Sequence, residues 1–352
     1  MNLSALSKHW GDYPRLQVQD LFKFLFQSAF GCEHLAPHWG TALDYVRREY
    51  YGRVDPSAEP RVDRLAGEYS RVHLSWLSQG LSPETLTGLF VLSAKTESEG
   101  RERLEGMLAA AREMIQRGEI PLDPHEFEEK LEAWRAMGYP AIHHSEAFRE
   151  AYAPAYRVIA NRYANFLPLF AKLDTLLQDG PVILAIEGGS ASGKSTLAEA
   201  FPSIYGCGVI HTDDFFLRPE QRTAERLSEV GGNLDRERFM EEVLPSLTRG
   251  EAVQYRPFDC GTQTLSPPVT VKQSRLTVVE GVYATHPAFG KYYDLAVFLD
   301  ISPEQQRARI VKRNPPFLAE RFFGEWIPLE NQFFEGTAIR DRVDLCIPVW
   351  EE

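Results

Sequence analysis

The sequence has few cysteines, and no two of them are closely spaced. Its 352 residues contain four, Cys32, Cys207, Cys260 and Cys346, and no C-x-x-C spacing occurs. Disulfide-rich scaffolds and cysteine zinc sites both need closely spaced cysteines, so both classes of protein are excluded. We expect these four residues to be reduced thiols, most of them buried.

The sequence also lacks long apolar runs and basic segments. No stretch approaches the roughly 18 uninterrupted apolar residues of a membrane span, and the first residues do not form the basic start and apolar core of a leader peptide. Lys and Arg number 38 against 50 Asp and Glu, a net charge of −12 that both halves share. Because nucleic acids and anionic membranes are bound mainly through clustered basic residues, we expect neither as a partner. We expect a cytoplasmic protein that binds phosphate at a local site.

The periodicity of apolar residues changes at Pro181. Before it, from Leu16 to about Leu177, the spacing is helical throughout, with Ser82, Asp123 and Ser145 as helix N-caps. After it, short apolar runs typical of buried parallel strands alternate with helical stretches; the runs cover 182–186, 208–212, 276–279, 295–299 and 345–349. The pattern predicts an all-α domain over residues 1–178, followed by a doubly wound parallel α/β domain over residues 179–352.

The strongest functional signal is a glycine-rich loop directly after the first of these runs. Gly188-Gly189-Ser190-Ala191-Ser192-Gly193-Lys194-Ser195 matches G-x-x-x-x-G-K-[S/T] in full, which indicates the P-loop NTPase fold. In such a phosphate-binding loop (P-loop), backbone N–H groups surround a phosphate and the next helix adds positive potential at its N-terminus. We expect the loop and Thr196 to bind ATP, with Lys194 reaching the β- and γ-phosphates and Ser195 ligating Mg²⁺. The alternative is a glycine turn that binds nothing.

Two carboxylates follow other predicted strands. Asp213 comes directly after the run 208–212, at the sheet edge where ligands of parallel sheets bind. It can accept the proton of a substrate hydroxyl during phosphoryl transfer, but an aspartate at this place can equally cap the next helix. Glu280 ends the strand before Gly281, where acidic groups of P-loop enzymes lie near the metal ion.

The predicted helix after Asp300 is rich in arginine. Arg309 and Arg313 are four residues apart and share a face of this helix, with Arg307 and Arg321 close in sequence. Asn314-Pro315-Pro316 then breaks the helix, as a mobile lid over bound phosphates would require. Phosphate contact is one interpretation of these arginines, and a solvated basic face is the other.

Taken in order, these motifs make the segment from Val182 to Val349 resemble the uridine kinase and phosphoribulokinase family of P-loop kinases. Besides the glycine loop, Glu280-Gly281 and the arginine helix, the segment holds counterparts of three family motifs, D-x-F-Y, N-F-D and P-x-Y-D. They are Asp213-Asp214-Phe215-Phe216, Asn233-Leu234-Asp235 and Arg256-Pro257-Phe258-Asp259. The ordered set is more specific than the glycine loop, which is generic to P-loop proteins.

The resemblance implies transfer of the γ-phosphate of ATP to a hydroxyl of a small acceptor. It implies that Asp213 is the base, Asp235 a ligand for acceptor hydroxyls and Glu280 a metal-side carboxylate. Arg309 and Arg313 would contact phosphates or form part of a lid. Phe216 and Phe258 stand where uridine kinases usually carry tyrosines, and Gln263 stands where they carry a base-reading histidine. These departures leave open a nucleoside-like acceptor or a sugar, glycerate-like or pantothenate-like alcohol.

The chief rival is a nucleotide-hydrolysing switch or sensor with the helical half as its output. No N-K-x-D guanine-reading motif occurs in the sequence, which favours the kinase. The helical half carries no assignable chemistry: the candidates are His34 with His38, and His143 with His144, for which structural roles are favoured over metal binding. We expect this half to pack against the kinase half and to shape its acceptor pocket or an interface in a homo-oligomer.

Overall fold

In this computed structural model the chain divides into two compact units, one running to Leu167 and one spanning Pro168–Glu351. The structure describes residues 4–32, 39–94 and 100–351. The change in periodicity near residue 178 coincides with the end of the helix Leu167–Asp179, nearly all of which belongs to the second unit.

The N-terminal unit is mostly helical, as predicted, but it also contains a small sheet that the all-α prediction missed. Its strands Val62–Arg64, Tyr69–His73 and Tyr156–Ala160 pair antiparallel in that order. The middle strand buries Ser70 and Arg71 and therefore lacks the apolar run that marks a strand in a sequence. The helices are Ser4–Asp12, Val18–Phe30, Trp39–Arg53, Pro83–Ser93, Gly100–Gln116, Pro124–Ala136, Glu146–Tyr152 and Asn161–Ala164, and Leu74–Gln79 is a 3₁₀ helix.

Helix starts in this unit lie where the sequence places them. The Thr85 N–H donates to Ser82 Oγ at 3.0 Å, and the Phe148 N–H donates to Ser145 Oγ at 3.1 Å. The His125 N–H donates to Asp123 Oδ1 at 2.9 Å. Each cap satisfies an N–H group that has no partner within its own helix, which fixes where the helix begins.

The second unit is built on a five-stranded parallel sheet, which confirms the predicted doubly wound α/β fold. In spatial order the strands are Leu345–Pro348, Leu295–Asp300, Val182–Gly188, Leu276–Glu280 and Gly208–His211. All five correspond to predicted apolar runs. The three central strands bury nearly every side chain, whereas the two edge strands, Leu345–Pro348 and Gly208–His211, are only partly buried. Since the strands are parallel, their carboxyl ends meet at one edge, where Glu280 pairs in register with His211 and Ile186.

Helices and short antiparallel pairs complete this unit. The helices are Leu167–Asp179, Lys194–Ala198, Ala200–Tyr205, Ala224–Ser228, Arg236–Glu242, Leu244–Thr248, Pro303–Arg313, Pro316–Arg321, Ile327–Gly336 and Ile339–Arg342, with a π-helical turn at Phe322–Trp326 and 3₁₀ turns at Thr212–Phe215, Pro219–Gln221 and Pro287–Phe289. Val253–Tyr255 pairs with Val269–Val271, and Phe258–Asp259 pairs with Thr264–Leu265. Over the described ranges, no helix has both the length and the apolarity to cross a bilayer.

Candidate functional site

A cavity of about 850 Å³ lies at the carboxyl edge of the parallel sheet. The P-loop lines it through Ser190, Ala191 and Gly193 to Thr196. Asp213 and Phe216 follow the neighbouring strand, and the segment from Arg313 to Glu330 contributes much of the remaining wall. The structure therefore brings the glycine loop, the predicted base and part of the arginine-rich segment to one cavity within one unit.

The P-loop has the backbone that its glycines permit. Gly188 has φ +149° and Gly193 has φ +98°, values that side chains rarely allow. A Cβ at Gly188 would lie 2.8 Å from the backbone oxygen of Leu299 on the adjacent strand. Lys194 opens the next helix and its ammonium donates to the Gly189 carbonyl at 3.0 Å, so the loop curls around its own lysine.

Side chains from two later helices hold the tip of this loop. The Ser190 N–H donates to Glu330 Oε2 at 2.9 Å, and the Ser190 hydroxyl donates to Glu330 Oε1. Gln306 Nε2 donates to the Ser190 carbonyl at 2.9 Å, and Arg309 donates to the Ala191 carbonyl at 3.2 Å. Burial raises the pKa of Glu330, while Lys194 lowers it. A buried carboxylate thus accepts a hydrogen bond from a loop N–H group of the kind that binds phosphate oxygens.

Asp213 lies at the carboxyl end of its strand, in the 3₁₀ turn Thr212–Phe215, and does not cap that turn. Asp213 is exposed and lines the cavity. Desolvation by the surrounding protein raises the pKa of Asp213 to about 6; Lys194 opposes the rise, and the negative charges of Glu280 and Glu330 add to it. A carboxylate with this pKa is suited to take up a proton near neutral pH.

Glu280 is buried at the end of its strand beside the P-loop. Its Oε1 accepts from the Ser195 hydroxyl at 3.2 Å and lies 2.6 Å from His211 Nδ1. This hydrogen bond to Glu280 raises the pKa of His211. The other oxygen, Oε2, is buried and has no hydrogen-bond partner among the described residues. An oxygen without a partner beside Ser195 fits the oxygen-rich coordination that Mg²⁺ prefers.

The residues expected at the acceptor divide into two groups. Phe216 and Gln263 line the cavity, and the Gln263 amide donates to the Cys260 carbonyl at 2.6 Å. Phe258 is buried and is not a lining residue. Asp235 is buried too: it caps the helix Arg236–Glu242 by accepting from the Arg238 N–H and receives a hydrogen bond from Gln221 at 2.9 Å.

The arginines of the predicted lid also differ in their surroundings. Arg313 lines the cavity, and its guanidinium carbon lies 5.6 Å from the centre of the Phe322 ring. Arg309 contacts the P-loop backbone, as described above, and Arg307 lies against the Phe323 ring at 4.5 Å. Arg321 lines the cavity and pairs with Glu325 at 2.9 Å.

The histidines singled out in the N-terminal half fall into two cases. His34 and His38 lie outside the described residues. His144 is buried with its Nδ1 2.8 Å from Asp20 Oδ1 and its Nε2 2.6 Å from the Tyr156 hydroxyl, and burial lowers its pKa to about 4. His143 is exposed, and its carbonyl accepts from Gln19.

Three residues around the P-loop in the second unit were not predicted from the sequence. His211 directly precedes the Thr212-Asp213 pair and carries no motif of its own. Glu330 lies 140 positions from the serine that it contacts. Glu187 follows an all-apolar run, and its buried carboxylate accepts from the Tyr283 and Thr285 N–H groups at 3.0 and 3.1 Å, tying the P-loop strand to the loop after Glu280. Only Glu187 had a signal in the sequence, namely an acid at the end of a buried strand.

Comparisons with known proteins give matches for the second unit. Residues 183–315 match the model of the Phosphoribulokinase / Uridine kinase family. A uridine kinase of Clostridium perfringens is 24% identical over 188 residues, which cover 48% of this chain and 87% of the relative.

Solved structures show similarity over about the same share of the chain. A possible uridine kinase from Bacillus stearothermophilus is 21% identical with a TM-score of 0.38, covering 51% of this chain and 99% of that one. D-glycerate 3-kinase from Cryptococcus neoformans is 12% identical with a TM-score of 0.34, covering 45% and 80%.

The sequence matches support a small-molecule P-loop kinase. The resemblance that the ordered motifs indicate is confirmed, and residues 183–315 of this chain match the phosphoribulokinase and uridine kinase family.

Proposed function

We propose that this protein transfers the γ-phosphate of ATP to a hydroxyl group of a small acceptor. The observation that carries the proposal is that Asp213 and Lys194 line the same cavity. A P-loop alone is compatible with hydrolysis or transfer. A carboxylate with a pKa of about 6 that opens into the cavity beside the P-loop provides a base for an acceptor hydroxyl.

In the proposed reaction the acceptor oxygen attacks the γ-phosphorus, and the bond from that phosphorus to the β,γ-bridging oxygen breaks. ADP leaves with the electron pair of this bond, and the hydroxyl proton passes to the Asp213 carboxylate. Lys194 and the N–H groups of the P-loop stabilise the negative charge on the phosphate oxygens. Arg313, which also lines the cavity, would do the same when its segment closes over the nucleotide.

Mg²⁺ would enter with the nucleotide and neutralise charge on the β- and γ-phosphates. Ser195 would hold it through its hydroxyl, and Glu280 through the Oε2 atom that has no described partner. No cluster of three or more potential metal-ligating His, Cys, Asp or Glu side chains occurs in the described part of the chain. Two protein ligands suit an ion that takes its other ligands from phosphate and water.

The acceptor is nucleoside-like or another small alcohol. Phe216 and Gln263 offer it one aromatic face and one amide. Asp235 contacts acceptor hydroxyls in this proposal only after its carboxylate leaves the helix cap, because it is buried there and does not line the cavity.

The test is acceptor-dependent release of ADP from MgATP by the native chain and by Asp213→Asn. The asparagine keeps the size of the side chain and removes the base, so we expect transfer to fall about a hundredfold or more while binding of a non-hydrolysable ATP analogue is retained. Transfer at the native rate would remove Asp213 from this role.

Asp214→Asn is the matched control. Asp214 is the adjacent carboxylate, but it accepts from the Tyr255 hydroxyl at 2.8 Å and does not line the cavity, and asparagine keeps an oxygen for that bond. We expect near-native transfer. ADP release that no hydroxyl compound accelerates would favour the rival nucleotide switch.

A further inference from the structure

Four cationic side chains line the cavity, and one of them has no place in the proposed phosphoryl transfer. Lys194 belongs to the P-loop, Arg313 lies on the segment facing it, and Arg321 pairs with Glu325. The fourth, Arg222, comes from the connection between the 3₁₀ turn Pro219–Gln221 and the helix Ala224–Ser228. It shares this part of the wall with Phe216, Cys260 and Gln263.

The guanidinium of Arg222 is hydrogen-bonded to the protein through its Nε. Its Nε donates to the Leu217 carbonyl at 2.9 Å, and its guanidinium carbon lies 5.9 Å from the centre of the Phe258 ring. Within the described ranges no carboxylate lies within ion-pair distance of Arg222. Its neighbours in sequence behave differently, since Arg218 pairs with Glu220 at 3.4 Å and Arg226 pairs with Glu237 at 2.7 Å. Arg222 is exposed as well as lining the cavity, so its guanidinium is accessible to a molecule bound there.

Arg222 and Asp213 line the same cavity, together with Phe216, Cys260 and Gln263. An acceptor that fills this cavity with its hydroxyl at Asp213 would therefore have Arg222 in the wall around it.

We propose that Arg222 binds an oxyanion of the acceptor, so that the acceptor is a hydroxy acid or a phosphorylated alcohol rather than a neutral nucleoside. This inference rests on the proposed kinase function. Asp213, Glu280 and Glu330 give the site negative charge, and an anionic acceptor would be repelled unless a cation met it. The nucleotide phosphates engage Lys194 and Arg313, which leaves Arg222. A guanidinium suits this task because its planar N–H groups match a carboxylate or a phosphate.

The experiment compares matched acceptors that differ only in the anion. ATP-dependent phosphorylation is measured with glycerate and glycerol, with ribose 5-phosphate and ribose, and with uridine as a neutral nucleoside. In the native chain we expect kcat/KM for the anionic member of at least one pair to exceed that of its neutral partner about tenfold or more. The two pairs separate carboxylate from phosphate recognition.

Arg222→Gln should abolish this preference by lowering kcat/KM for the anionic acceptor about ten- to a hundredfold, with the KM for ATP and the neutral acceptor unchanged. Arg222→Lys should restore only part of the preference, because lysine keeps the positive charge but lacks the paired N–H donors of the guanidinium. Arg218→Gln is the matched control: Arg218 is a close neighbour in the chain that does not line the cavity, and we expect its variant to keep the native preference.

Three results would overturn the inference. Equal use of charged and neutral partners, or an equal loss for both in Arg222→Gln, would remove Arg222 as an acceptor-binding residue while leaving the kinase in place. ADP release that no compound of either kind accelerates would instead overturn the proposed function, and the inference with it.

Discussion

Asp213 is the residue whose protonation decides whether the proposed transfer can proceed. Desolvation raises its pKa to about 6, with Lys194 opposing this rise and the carboxylates of Glu280 and Glu330 adding to it. Only the ionised form accepts a proton, so we expect kcat/KM to be lost as pH falls through about 6, approaching tenfold per unit below it. A profile from about pH 5 to 8 measures this, with binding of an ATP analogue followed at each pH as the control. A rate that stays level across the range would contradict the prediction.

At the scale of single residues, the sequence predicted the residues that belong to a motif of fixed spacing. It did not predict the residues that reach the site through contacts between distant parts of the chain. Lys194 and Ser195 follow from the glycine loop, and Asp213 follows from its place after a strand. Glu330 lies 140 positions from Ser190, and no local pattern announces that contact. Arg309 was predicted on a phosphate-facing helix, yet its hydrogen bond to the Ala191 carbonyl depends on how that helix packs against the loop.

At the scale of elements, the helix Ile327–Gly336 acts on the P-loop through Glu330. Its carboxylate accepts from the Ser190 N–H and hydroxyl, close to where phosphate oxygens bind. Glu330→Gln keeps an oxygen for the N–H and removes the negative charge that opposes ATP. We expect the Kd of a non-hydrolysable ATP analogue to fall, by about three- to tenfold, which calorimetry can measure.

The matched control for this helix is Glu325→Gln. Glu325 also lines the cavity, but it pairs with Arg321, and both side chains are about half exposed. Solvent screens such a pair, so we expect little change in affinity for the analogue. Weaker binding by Glu330→Gln would show that Glu330 supports the nucleotide-binding shape of the loop more than it opposes phosphate.

The strands of the two units differ in how clearly they can be predicted from the sequence. All five parallel strands are apolar runs, and the three central ones are buried on both faces. In the N-terminal sheet, Tyr69–His73 buries Ser70 and Arg71, and Val62–Arg64 has only three residues. Tyr156–Ala160 lies in the stretch up to Leu177 for which the periodicity predicts helices, and it is a strand. Short strands with polar buried positions lack the periodicity on which the prediction depends.

At the scale of the whole molecule, the charge of −12 is consistent with a phosphate site confined to one cavity. Positive groups there are few and local: Lys194, the helix that it opens, Arg222, Arg313 and Arg321. The domain boundary that the periodicity predicts, near residue 178, lies at the end of a helix that belongs almost entirely to the second unit. The helix Leu167–Asp179 continues the helical pattern of the first half, yet its Phe170 ring lies 5.4 Å from Phe201, and its Asp174 accepts from the Tyr205 hydroxyl at 2.8 Å, both in the second unit.

The placement of this helix can be tested with two fragments, residues 165–352 and residues 180–352. Both keep the whole cavity, and only the first keeps the helix. Losing the Phe170 ring alone should cost about 3–5 kcal/mol, as large-to-small core substitutions do, so we expect the shorter fragment to melt at lower temperature or to aggregate. Thermal unfolding, followed by circular dichroism with and without an ATP analogue, measures the difference. If the two fragments unfolded at the same temperature and bound the analogue equally, the helix would not be part of the second unit. The boundary would then lie near residue 178, where the periodicity of the sequence changes.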